Sequence, residues 1–103
     1  MCLTMSPLTP GKIRGLQQIS TREGVLAICA MDHRSSMVQM LEKVRPGSGT
    51  YDSVVERKVE LCSVLATHVS GVLLDPEYGA AQCLAAGALP GDRGLLVSIE
   101  ASG

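Results

Sequence analysis

The chain has 103 residues, 46% hydrophobic and 18% charged, with a formal net charge of -1, a balance that suits one soluble globular unit. Its nine Lys and Arg are scattered and two Tyr are the only aromatics, so it has no basic stripe or stacking platform with which to bind nucleic acid. The longest apolar run, Val25 to Met31, is far short of the roughly 20 residues that cross a bilayer, which excludes a membrane span.

Residues 1–21 read as an irregular arm with a short helical turn. Ile13, Leu16 and Ile19 recur at three-residue spacing after the breaker pair Pro10 and Gly11, a placement suited to plugging one end of a core. Pro7, Pro10, Gly11 and Gly15 interrupt the segment where a secretory signal needs a continuous apolar stretch, so a cytoplasmic protein is expected. Cys2, Cys29, Cys62 and Cys83 have neither CxxC nor zinc-ribbon spacing. Cys29 and Cys62 fall within apolar patterns, where a reduced thiol acts as a small hydrophobe.

"VLAICAM", residues 25–31, is bounded by Gly24 and Asp32 and predicts a strand buried on both faces. Ser35 and Ser36 can cap a helix in which Met37, Met40, Leu41 and Val44 share a face, the two methionines as core filler, until Pro46 and Gly47 end it. A longer helix starts at Thr50 or Ser53, with Ser53 and Glu56 in capping-box spacing. Its apolar stripe is Val55, Val59, Cys62, Ala66 and Val69, and His68 suits the dipole at its end.

A second strand, 71–74, ends on Asp75; Pro76 to Gly87 is a turn and a short Ala-rich helix. After the turn Pro90-Gly91-Asp92, a third strand, 95–99, runs into Glu100. Each crossover is long enough to return the chain to the same end of a sheet, which predicts an α/β fold with parallel strands. Asp32, Asp75 and Glu100 then gather at one edge, and the carboxyl ends of parallel strands are where such folds place their sites.

"GKIRGLQQIS", "ICAMDHRSSM", "GVLLDPEYGAAQ" and "GLLVSIEASG" resemble, in order and spacing, the N-terminal part of the tagatose 1,6-bisphosphate aldolase family, class I aldolases on a TIM barrel. The resemblance runs from Gly11 over almost all of the chain, and "LLDPEYG" is its most specific piece. It implies a single TIM-barrel aldolase domain of which residues 1–103 are the N-terminal part: the first three β/α units of the (β/α)8 barrel, incomplete in this chain. It also implies cleavage of a ketose bisphosphate into two triose phosphates, through a Schiff base on a lysine and with no metal or other cofactor. The partner implied is a small-molecule sugar phosphate.

The family's Asp-Gln-Arg motif matches Asp32, His33 and Arg34, which implies Asp32 as the proton-transfer or hydroxyl-orienting group and His33 and Arg34 as substrate contacts. Asp75 and Glu100 join them by position as substrate-binding residues. His33 stands where the family has glutamine; it can still bond a sugar hydroxyl but can also carry charge near neutral pH. Read without the resemblance, Asp32 is a helix cap or an ion-pair partner of Arg34. "DPEYG" is likewise good turn chemistry, with Asp75 bonding the backbone just after it and Pro76 and Glu77 suited to a helix start.

Lys12 lies in the arm, Lys43 in the last turn of the first helix, and Lys58 follows Glu56 and Arg57 on a helix face expected to be solvated. None is expected at a strand end, so no Schiff-base residue is assigned; that lysine and the phosphate site are expected beyond Gly103. A complete barrel takes ~250 residues, and three strands are well under half of one. The alternative is a non-catalytic binding or assembly module whose open sheet edges pair with another chain, including a copy of itself.

Overall fold

The computed structural model describes residues 7–100; residues 1–6 of the expected arm, with Cys2, lie outside them, as do residues 101–103. In chain order come α1 (Pro10–Ile19), β1 (Ile28–Met31), α2 (Ser35–Val44), α3 (Tyr51–Leu65), a 3-10 turn (Ala66–His68), β2 (Gly71–Leu74), α4 (Ala80–Ala85) and β3 (Gly94–Val97). The three strands form one parallel sheet in the order β1-β2-β3. Met31 pairs with Leu74 and Leu74 with Val97, so the strands end level. The Ser98 N–H still bonds to the Leu74 carbonyl at 3.0 Å, which sets Asp32, Asp75 and Ser98 in the next row.

Helices α3 and α4 cover one face, and α1 reaches the other only through Ile19 at the amino-terminal end of the sheet. Cys29, Met31, Val72, Leu74 and Leu95 pack with Cys62 and Ala66 of the α3 segment and with Ala80 and Cys83 of α4. Alternation puts Ile28, Ala30, Leu73 and Leu96 on the other face, where Ala30 and Leu96 are exposed. β1 is therefore not buried on both faces: beyond Ile19 at the amino-terminal end of the sheet, its second face leaves Ala30 exposed. It is also shorter than 25–31: Val25 and Leu26 are exposed and belong to a reversal after α1, where Ser20 bridges Leu26 and Gly24 takes a φ of 78° that suits glycine. β3 likewise stops at Val97, and Ile99 is 98% exposed.

α1 is a full ten-residue helix rather than a turn. Thr9 accepts the Lys12 N–H, and Pro10 occupies the first helical position, where its missing N–H costs nothing. The residue expected to break structure starts it. Ile19, at the other end of α1, closes the amino-terminal end of the sheet on two glycines paired in register, Gly71 and Gly94. A Cβ on Gly71 would lie 2.6 Å from Ile19 Cγ1, and one on Gly94 2.7 Å from Ile19 Cα.

One helix start and one stripe differ from expectation, and the other start falls on the first of its two expected residues. Arg34, not a serine, is at the cap position of α2 and makes no side-chain cap bond. Thr50 caps α3 by accepting the Ser53 N–H, which places Ser53 inside the helix. The buried face of α3 is Val54, Lys58 and Cys62, continuing into Ala66, while Val55 and Val59 are half-buried on its flank. Met37 is core but Met40 is exposed. Among the described residues no helix is long and apolar enough to cross a membrane.

Candidate functional site

β1 delivers three candidate side chains to the rim in succession. Parity aims Asp32 with Ala30 and Ile28 at the uncovered face; Asp32 and His33 are half-buried and Arg34 is buried. Arg34 spans the rim to the third strand, where its Nη2 donates to Ser98 Oγ at 3.1 Å and to the Glu100 carbonyl at 2.9 Å. Glu100 thus joins through its backbone, and the residue itself is exposed.

Asp75 is 0% exposed. Its Oδ2 accepts the N–H groups of Glu77 at 3.0 Å and Tyr78 at 2.6 Å, which is the turn chemistry of "DPEYG". Its Oδ1 accepts from Lys58 Nζ at 2.6 Å. Gly79 makes room for that oxygen: a Cβ there would lie 2.9 Å from it. On the helix side the Tyr51 and Tyr78 rings stand 5.6 Å apart, and Gln82 Nε2 donates to Tyr51 OH and to the Glu77 carbonyl, tying the turn to the start of α3.

Lys58 overturns the expectation of a solvated side chain. It is 0% exposed, and besides Asp75 its Nζ donates to the Met31 carbonyl at 2.8 Å. The reason is helical spacing: Val54, Lys58 and Cys62 recur every four residues and share one face. When Val54 and Cys62 enter the core, the lysine stem goes with them. The ammonium is tolerated there because two acceptors at the strand ends receive it. A lysine centred between two apolar residues at that spacing, with a carboxylate ending the next strand, was the available signal.

The same ammonium acts on His33. Burial is the larger cause holding the imidazole below its ordinary value of 6.5, and Lys58 is the next, while Asp32 and Asp75 pull it upward. Near neutral pH His33 therefore offers one N–H donor and one ring acceptor. A half-buried carboxylate aimed at the open face can exchange a proton with a hydroxyl brought within hydrogen-bond reach, and a neutral imidazole at the same rim can hydrogen-bond in either sense.

Lys12 and Lys43 are exposed on α1 and α2. Lys58 alone of the three lysines reaches the rim, but it is enclosed and its donors are engaged. A nucleophilic amine must meet a substrate carbonyl, and none of the three is placed to do so.

No family model matches the chain. It is similar to proteins named tagatose 1,6-diphosphate aldolase from Staphylococcus aureus strains JH9, Newman and N315, at 34% identity over 92 residues, 89% of this chain. The chain spans 27% of the length of those relatives, their N-terminal portion.

Proposed function

We propose that this chain is the N-terminal portion of a class I, Schiff-base aldolase that cleaves a ketose bisphosphate such as tagatose 1,6-bisphosphate into two triose phosphates. One observation carries the reading: two of the segments that carry the family resemblance, "ICAMDHRSS" and "LLDPEYG", leave neighbouring parallel strands at the same level of one rim. Among the described residues β1 and β3 each have one unpaired edge, and beyond Ile19 their shared face is uncovered, as expected of the first three strands of a TIM barrel that further strands complete.

In this reading a lysine on a later strand forms the iminium, which takes the electron pair of the breaking carbon–carbon bond. Asp32 takes the proton from the hydroxyl on the carbon that becomes the aldehyde. His33 and Glu100 contact the sugar. Arg34 and Asp75 contribute through the groups they hold: Arg34 through Ser98 and Glu100, Asp75 through Lys58 and its turn. The chemistry calls for no metal and suits the cytoplasm, where sugar phosphates and reduced thiols coexist.

The test is a chimera in which this chain replaces the aligned segment of the Staphylococcus aureus tagatose 1,6-diphosphate aldolase. Cleavage of tagatose 1,6-bisphosphate and a borohydride-trapped adduct are the expected result; a folded chimera that binds but never cleaves would remove the reading. The engaged state of Lys58 favours a second reading, a non-catalytic module that pairs through its sheet edges, including with its own copy. Light scattering of the 103-residue chain separates them, since that module must self-associate or take up a partner.

A further inference from the structure

Lys58 forms no bond to substrate in the chemistry proposed above, yet it is fully buried at the rim. Its Nζ bridges a backbone acceptor at the end of β1 and a side-chain acceptor just beyond the end of β2. The β1 acceptor is the carbonyl of Met31, whose peptide bond leads directly into Asp32. The β2 acceptor belongs to the carboxylate that organises the Glu77 and Tyr78 turn. A lysine that served packing alone would send its ammonium to solvent along the surface, as long charged side chains ordinarily do.

We infer that Lys58 is a positioning residue of the rim: by bridging the Met31 carbonyl and the Asp75 carboxylate it fixes the peptide from which Asp32 and His33 project, and so aims both at one substrate. This rests on the aldolase reading for the identity of that substrate, but the wiring itself does not. Burying a charged amine is tolerated only with partners of good geometry, and here the partners are the two groups whose placement sets the rim.

The charged groups facing His33 come from three elements: Lys58 from α3, Asp32 on its own segment and Asp75 after β2; neighbouring Arg34 is engaged with Ser98 and Glu100. Burial is the largest cause that favours the neutral imidazole; Lys58, the strongest of the three charges, acts in the same direction and both carboxylates oppose it. The arrangement therefore keeps His33 able to accept a hydrogen bond beside the Asp32 carboxylate.

The experiment is an NMR titration of the His33 ring in the 103-residue chain, with the Asp32 amide nitrogen recorded as a monitor of the Met31 carbonyl bond. Lys58→Met should raise the His33 titration point and move the Asp32 resonance, while Lys58→Arg should keep the titration point at the native value. Asp75→Asn should lower it. Lys58→Met/Asp75→Asn, which leaves no unpaired buried charge and so guards against unfolding of the single variant, should place it between native and Lys58→Met. A Lys58-deficient variant that folds and titrates at or below the native value would overturn the inference, as would an Asp32 resonance unmoved by loss of the lysine. Failure of the chimera to cleave, with this ranking intact, would refute the aldolase reading and leave the wiring standing.

Discussion

Replacing Lys58 by Met keeps most of the stem's volume but leaves Asp75 Oδ1 buried without its ammonium, 2.6 Å away in the native protein. Removing one partner of a buried pair costs about 3–5 kcal/mol, against a total stability on the order of 5–15 kcal/mol for a domain. Asp75→Asn on the native background likewise removes one partner, because it leaves the Lys58 ammonium buried without a counter-charge, and costs about 3–5 kcal/mol. Combined, however, the two substitutions leave only neutral groups: the Asn oxygen can still accept from Glu77 and Tyr78, and its NH2 can face the Met31 carbonyl. The double variant should then lie about 1–2 kcal/mol below native, so Asp75→Asn changes sign, destabilising the native protein and restoring about 2 kcal/mol to Lys58→Met. Urea unfolding followed by far-UV circular dichroism on the four proteins gives the cycle. Additive effects, with Asp75→Asn destabilising on both backgrounds, would refute the buried pair.

Gly94→Ala should cost about 1–3 kcal/mol by overpacking, and Ile19→Ala should not fully rescue it, since the new Cβ meets Ile19 Cα at 2.7 Å as well as its side chain; an unchanged urea midpoint would contradict this closure of the sheet. His33 has a folded-state value below 6.5, so the folded protein prefers the neutral ring. That contribution to stability is complete above the unfolded-state value and is lost as pH falls through the folded one. The stability advantage of the native protein over His33→Gln should therefore shrink on acidification below about 6.5, and an advantage that grows would reverse the assignment. Burial raises the Cys62 thiol and pushes Cys83 up to about 12, so both should resist an aromatic disulfide reagent until the chain unfolds; reaction in native buffer as fast as in urea would place them outside the core.

What was legible in the sequence was the order of elements and the level at which the strands end. Gly71 to Leu74 matches its expected span because it is short, apolar and bracketed by glycine and a carboxylate. The Val25 run misled because continuous apolarity does not distinguish a strand from the reversal feeding it, and Gly24 decides that only through its positive φ. Lys58 is missed by a reading that treats charge as exposure: its spacing with Val54 and Cys62 marks the buried face, but the carboxylate that receives its charge stands seventeen positions away, outside any helix periodicity. The rim residues Asp32, His33 and Arg34 could be located, but Arg34's reach to Ser98 depends on β3 lying two strands away, which is a property of the sheet.

Asp32→Asn in the chimera, followed by single-turnover cleavage of tagatose 1,6-bisphosphate with borohydride trapping in parallel, bears most directly on the site. Loss of a proton-transfer group should slow bond cleavage by roughly 10²–10⁴-fold while the covalent adduct still forms, because the amine is supplied elsewhere. Cleavage at the unsubstituted chimera's rate would mean that the carboxylate at the end of β1 is not the group that moves the proton.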